Sequence, residues 1–323
     1  MRAALALVAV LAGAVVLSLM VGSVPLAPGD VVAALTGAGD ATARTVVWQL
    51  RLPRTVLAIA VGGGLAVVGV AMQALVRNPL AEPYLLGASS GASAGASVVA
   101  LVASSVAWAA PAAAVAGAWI VTAVVFVVAR TGPALSTARL LLAGVALSAL
   151  LGAVTAFATY AAPNAETVRV LLFWLLGSLS RARWEWVAAP LVAAVVATLG
   201  LWRWGRLLDL LTTGEEPAAS LGVPVEAVKR ALIAVSAVVT GLVVAAAGII
   251  GFVGLIVPHA VRLTAGAGHR RLVPLSFLAG AAFLTLADVA ARSVLPGRDV
   301  PVGVVTALCG VPFFLALLRR AEM

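Results

Sequence analysis

Apolar runs of close to 20 residues, each bounded by charge, proline or glycine, recur along the whole chain. About 20 mostly apolar residues is the length of helix that crosses the ~30 Å hydrocarbon core of a bilayer. The pattern predicts spans near 3–22, 55–75, 85–105, 108–129, 140–160, 186–204, 230–250, 272–291 and 302–318, with a shorter one near 252–265. The first run follows Arg2 as in a signal peptide. It continues from Ala3 to Gly22, beyond the ~7–15 apolar residues of such a peptide, and is read as an uncleaved anchor. The longest breaks, 23–54, 161–185 and 205–229, are too short for a globular domain. The expectation is an all-α, polytopic membrane bundle of about ten helices: one domain over 1–323, with a cytoplasmic loop at 205–229 inside it.

Composition agrees. Hydrophobic residues make up 63% and charged residues 10%, with a mean hydropathy of +1.15. Soluble domains are about 45–50% apolar and about a quarter charged, so an ordinary soluble domain and a disordered chain are excluded. The single cysteine, Cys309, excludes a disulfide scaffold. A net charge of +9 would point to nucleic acid in a soluble protein. In a membrane protein the basic surplus belongs to cytoplasmic loops, and no nucleic-acid partner is expected. With the N-terminus inside and ten crossings, eight basic residues fall outside: Arg44, Arg51, Arg54, Arg169, Arg181, Arg183, Arg292 and Arg298. The other 13 of the 21 Lys and Arg fall inside, which favours cytoplasmic termini. Eight outside is still more than orientation alone requires.

Several chemistries are missing. No GxxxxGK[ST] phosphate loop is present, and Lys229, the one lysine, follows no glycine-rich turn. His259 and His269, the two histidines, lack neighbouring metal ligands in the sequence, which disfavours a metal site or an intramembrane enzyme. An ion-coupled carrier places ionisable groups in mid-membrane. Asp288 is the one acid set within a span, and Arg292 at i,i+4 reads better as its neutralising partner than as part of a proton site.

Four polar clusters interrupt the apolar runs. Arg51 to Arg54 (RLPR) borders the second span, where arginine side chains snorkel to the interface. Gln73 to Gly95 holds Pro79 and Pro83, which forbid a continuous helix, and then Gly87, Gly91 and Gly95 at i+4, a packing face. In Gly214 to Val223 (GEEPAASLGV), Glu215, Glu216 and Pro217 make an acidic first helical turn too short to bury itself, which reads equally as a docking element for a cytoplasmic partner or as a solvated loop. Gly248, Gly251 and Gly254, followed by Pro258, break what would otherwise be one long span.

Together these clusters resemble the permease subunits of the iron-siderophore and vitamin B12 ABC importers, the FecCD/BtuC-type family. RLPR, Q-x4-NPLAEP-x-LLG-x-S-x-GA from Gln73, FWLLGSL from Phe173, EEPAASLGV, GFVGLIVPH-x2-R from Gly251, HRRLVPLS, AD-x2-AR from Ala287 and PVGVVTALCGVPFF from Pro301 occur in the family's order, covering about 45–320. One departure is Asp299-Val300-Pro301, where many relatives have Glu-Leu-Pro.

The resemblance implies a ten-span permease of the type II importer fold, in the bacterial inner membrane, working as a dimer with a second copy or a paralogue. It implies two cytoplasmic ATP-binding subunits, which hold ATP and magnesium, and a periplasmic or lipid-anchored binding protein. No cofactor or catalytic residue is expected on this chain. The cargo would be an iron(III)-siderophore, haem or cobalamin. The implied coupling residues are Glu215, Glu216, Ala219, Leu221 and Gly222; those docking the binding protein are Arg51, Arg54 and Arg292. The implied cytoplasmic gate is Asn78, Leu80, Thr137 and Ala138. The implied pathway lining is the fifth span, with Gly144, Ser148, Gly152, Thr155 and Thr159. The rival reading is an ion-coupled carrier using Asp288.

Overall fold

A computed structural model describes residues 2–22, 24–102, 108–131, 134–295 and 298–321. Helix α1 (Arg2–Met20) is followed by two short helices, α2 (Pro28–Thr36) and α3 (Ala41–Thr45). α3 runs through a wide π turn at Val46–Arg51 directly into α4 (Leu52–Val76). The RLPR cluster therefore lies inside a continuous helix rather than beside one. Pro53 has no N–H to give and sits in the first turn after the change of helical register.

A 3₁₀ turn at Pro83–Leu86 leads to α5 (Ala88–Val102) and α6 (Ala109–Ala129). Two-residue strands β1 (Arg130–Thr131) and β2 (Ala134–Leu135) pair antiparallel before α7 (Thr137–Tyr160). Then come α8 (Ala165–Leu176), α9 (Trp184–Arg203), α10 (Gly205–Thr212), α11 (Glu215–Ser220) and α12 (Val225–Ala247). The chain closes with α13 (Val253–Ala265), α14 (His269–Ser293) and α15 (Val302–Ala321).

Each predicted span is realised as a helix, with residues 103–105 of the third outside the described residues. Among the described residues seven helices are long and apolar enough to cross a bilayer, and α5, α13 and the apolar part of α15 are shorter.

α4 is the core. It packs against α14, α9, α12 and α13, and 89% of its most apolar stretch is buried, against 17% for α7. Close packing of helix backbones needs small residues at the crossing. A Cβ on Gly69 would collide with the carbonyl of Gly254 on α13, and one on Gly62 with that of Gly280 on α14. The stripe on α5 is likewise packing, since Gly91 and Gly95 lie against the α6 backbone at Gly117 and Ala113.

The break between α12 and α13 turns on two left-handed residues, Gly248 (φ +70°) and Phe252 (φ +69°). Backbone groups freed inside a membrane protein must find partners, and here they do. Ile249 N–H donates to the Trp174 carbonyl (3.0 Å) and Phe252 N–H to the Glu82 carboxylate (2.9 Å). The Tyr84 hydroxyl donates to Ile250 C=O (2.8 Å) and accepts from Ile250 N–H (3.1 Å). The Pro83–Leu86 turn therefore splints the broken helix.

Candidate functional site

Polar side chains gather at the two ends of the bundle. At one end, Asp288 on α14 is buried, with 1% of its side chain exposed. Arg54 on α4 grips both its oxygens through Nε (3.0 Å each), donates again through Nη2 (2.9 Å), and reaches Asp299 through Nη1 (2.5 Å). Arg292, one turn along α14, adds a contact to Asp288 at 3.2 Å and donates to the Ser18 hydroxyl (2.8 Å) and the Ser18 and Val21 carbonyls. Arg51 donates to the carbonyls of Leu19 and Val24. Charge-assisted, forked contacts of this kind are strong and directional. They tie α1, α4, α14 and the segment before α15 together around an open cavity of about 240 Å³.

The structure thus brings Arg51, Arg54 and Arg292 together at one end of the bundle. Each donates to partners within the chain, and Arg51 is only 5% exposed. The same geometry does not favour Asp288 as a proton site, since Arg54 holds both its oxygens and Arg292 adds a further contact. The exposed arginines on the segments flanking this network are Arg44, Arg181, Arg183 and Arg298.

At the other end stands α11. Glu216, Ala219, Leu221 and Gly222 are exposed, and Leu221 is 65% exposed although it lies in a polar segment. Glu215 differs from its neighbour. It turns toward Lys229 (3.0 Å), which also meets Glu226 (3.1 Å) and the Leu135 carbonyl (2.6 Å) and is itself 1% exposed.

Leu135 precedes Ser136, which caps α7, and Thr137 and Ala138 open that helix. Asn78 is exposed in the turn after α4, where its side-chain oxygen accepts from Leu80 N–H (2.9 Å). His269 is bound by Asp209 of α10 through both its ring (2.6 Å) and its N–H (2.9 Å), so it clamps α10 to α14. Arg262 reaches Gln73 of α4 (3.1 Å). Among the described residues no group of three or more His, Cys, Asp or Glu is placed to hold a metal ion.

Along α7 the expected lining divides. Gly144 is packed against the Leu85 carbonyl, and Thr155 is buried with its hydroxyl on Leu151 C=O. Both sit at packing positions within the bundle. Gly152 is exposed, and Ser148 and Thr159 are half-buried.

No role was legible in the sequence for Glu82, Tyr84 or Asp209, nor for Glu226 and Leu135, two of the three partners of Lys229. The available signals were slight: a carboxylate between alanine and proline in an apolar segment, and one lysine among 20 arginines.

Comparison with known proteins places these features in a family. Residues 9–320 match the model of the FecCD transport family. The cobalamin import system permease protein BtuC of Halobacterium salinarum is 45% identical over 282 residues, 87% of this chain and 75% of that one. The vitamin B12 import system permease protein BtuC of Escherichia coli is 39% identical over 312 residues, 95% of this chain and 92% of that one. A solved inward-facing structure of a metal-chelate type ABC transporter superposes with a TM-score of 0.87 at 31% identity, covering 98% of each chain. PsaBC of Streptococcus pneumoniae shares the fold alone, at 17% identity and a TM-score of 0.57 over 81% of this chain and 88% of that one. A helical membrane bundle with no phosphate loop, matched to that family along almost its full length, belongs to the FecCD transport family of ABC importer permeases.

Proposed function

We propose that this chain is half of the membrane passage of an ATP-driven importer that carries a cobalamin-class metal chelate into the cytoplasm. The observation that carries the reading is the exposed face of α11, where Glu216, Ala219, Leu221 and Gly222 stand at the bundle end that also holds the start of α7. A short helix with an acidic first turn and an uncovered leucine fits a groove on a soluble partner. In this reading that partner is an ATPase, two copies of which hold ATP and magnesium.

The whole chain is one membrane domain of ten crossings, with α5, α13 and α15 completing the seven long helices, and 205–229 is its coupling loop. It sits in the cytoplasmic membrane with both termini inside and pairs with a second copy or a paralogue. The passage runs between the two permeases along the exposed side of α7, with Gly152, Ser148 and Thr159, and closes on the cytoplasmic side at Asn78, Leu80, Thr137 and Ala138. Outside, Arg44, Arg181, Arg183 and Arg298 form a basic rim for an acidic binding protein, on the frame made by Arg51, Arg54 and Arg292. A rim of exposed charges governs association rate and salt sensitivity more than affinity.

Cobalamin is preferred to an iron siderophore or haem because the relatives at 45% and 39% identity are named for cobalamin and vitamin B12. The test is purification of the tagged chain with its bound subunits, followed by uptake of labelled cyanocobalamin and of a labelled ferric siderophore into proteoliposomes supplied with binding protein. ATP-dependent cobalamin uptake, with loss of the ATPase in Glu216→Arg, is the expected result. Uptake of the siderophore alone would replace the cargo, and a permease that retains no ATPase would overturn the reading.

A further inference from the structure

The lysine that the apolar chain keeps is placed where two distant segments meet. Lys229 lies in the first turns of α12, with Glu215 of α11 14 residues before it and Leu135 94 residues before it. An ammonium has three donors and no acceptor, and here each donor has one partner: the Glu215 carboxylate, the Glu226 carboxylate and the Leu135 carbonyl. The lysine is buried, whereas both carboxylates keep about a third of their side-chain surface in the open, 35% each.

Burying a charge is costly unless it is paired and hydrogen-bonded, and a saturated set is far costlier to break than to move as a body. α11 is also fixed to the start of α12, since Ala218 is fully buried and its carbonyl accepts from Val223 N–H (3.0 Å). On the far side, Leu135 is the last residue of β2, its neighbour Ser136 caps α7, and Ser136 N–H is held by the Ala129 carbonyl (3.1 Å).

Resting on the proposed role of α11, we infer that Lys229 is the mechanical link between the ATPase-facing helix and the pathway helix. Displacement of α11 is carried through the Glu215–Lys229–Leu135 contacts to the N-cap of α7. Lys229 is a positioning residue: it touches neither ATP nor cargo. Glu215 belongs to this link, and Glu216 beside it to the contact surface.

The experiment uses the complete complex. Cys309→Ser removes the only cysteine, and Ala138→Cys then reports on the exposed first turn of α7. With Lys229 in place, ATP binding changes the rate at which a maleimide modifies position 138 by about fivefold or more, the size of an ordinary coupling between sites. In Lys229→Met the ATPase stays bound and hydrolyses ATP, the change at position 138 disappears, and uptake per ATP falls by roughly tenfold or more.

Glu215→Ala, which leaves Lys229 its other two partners, shows the same uncoupling in weaker form, and it decides the matter where Lys229→Met does not accumulate. Lys229→Arg restores part of the response. Normal uptake per ATP in a folded, ATPase-bound variant overturns the inference. So does a parallel fall of protein yield, hydrolysis and uptake, which is what a merely structural lysine would give. Loss of the ATPase from the Cys309→Ser parent instead overturns the importer reading itself, and is seen before any Lys229 variant is made.

Discussion

Asp288 faces two guanidiniums, and a third guanidinium, Arg51, holds the neighbouring backbone of α1. Removing one partner of such a buried set costs more than the set contributes, typically about 3–5 kcal/mol. Asp288→Asn is therefore expected to lower the thermal stability of the detergent-solubilised permease strongly. Among molecules that remain folded, the dependence of uptake on ATP stays intact. An Asp288→Asn protein of full stability that had lost energy coupling would restore the ion-carrier reading. At this scale the sequence was half legible. The Asp288–Arg292 pair follows from i,i+4 spacing, which is local and therefore readable. Arg54 lies 234 residues from Asp288 and 245 from Asp299, and Leu135 reaches Lys229 across 94, distances at which no spacing rule operates.

Among elements, the long apolar helices were predictable because bilayer thickness sets their length, and the structure returns them to within a few residues. Of the short ones, α11 and α13 were readable, and α8 and α10 were not. α8 is 12 residues long, and its visible signal is Asn164, whose side chain caps Thr167 N–H (2.8 Å) ahead of a run too short to span. α10 shows its leucines on one face, a pattern that a search for unbroken apolar length ignores. The bend between α12 and α13 was legible as glycines and a proline, but its splint was not, since Tyr84 lies 166 residues from Ile250. Tyr84→Phe strips partners from both the N–H and the C=O of Ile250 at a buried site. An unsatisfied buried group costs about 1–3 kcal/mol. Hydrogen exchange should therefore quicken across 248–252 while the interior of α4 stays protected, and unchanged exchange there would refute the splint.

For the whole molecule, burial is uneven in a telling way. α4 is enclosed, whereas α7 exposes Leu142, Val145, Leu150 and Phe157, and α15 exposes Leu308 and Leu315. In the proposed pair these two helices face the second permease and the passage. Cys309, exposed on α15, is then expected to join two permeases under a short thiol cross-linker when the chain is paired with its own copy. Recovery of single chains alone, from a preparation that migrates as the pair, would put that face against lipid.

These two helices also share a second property. Between Leu140 and Tyr160, and again between Val302 and Leu318, there is no Asp, Glu, Lys, Arg or His. A membrane potential acts on a protein only through charge displaced across the field, about 2.3 kcal/mol per elementary charge per 100 mV. In the proposed importer, with the ion pairs anchored at the two ends and nothing ionised along α7 and α15, the electric field has no handle on the gate. Its opening is left to be set by what binds at either face.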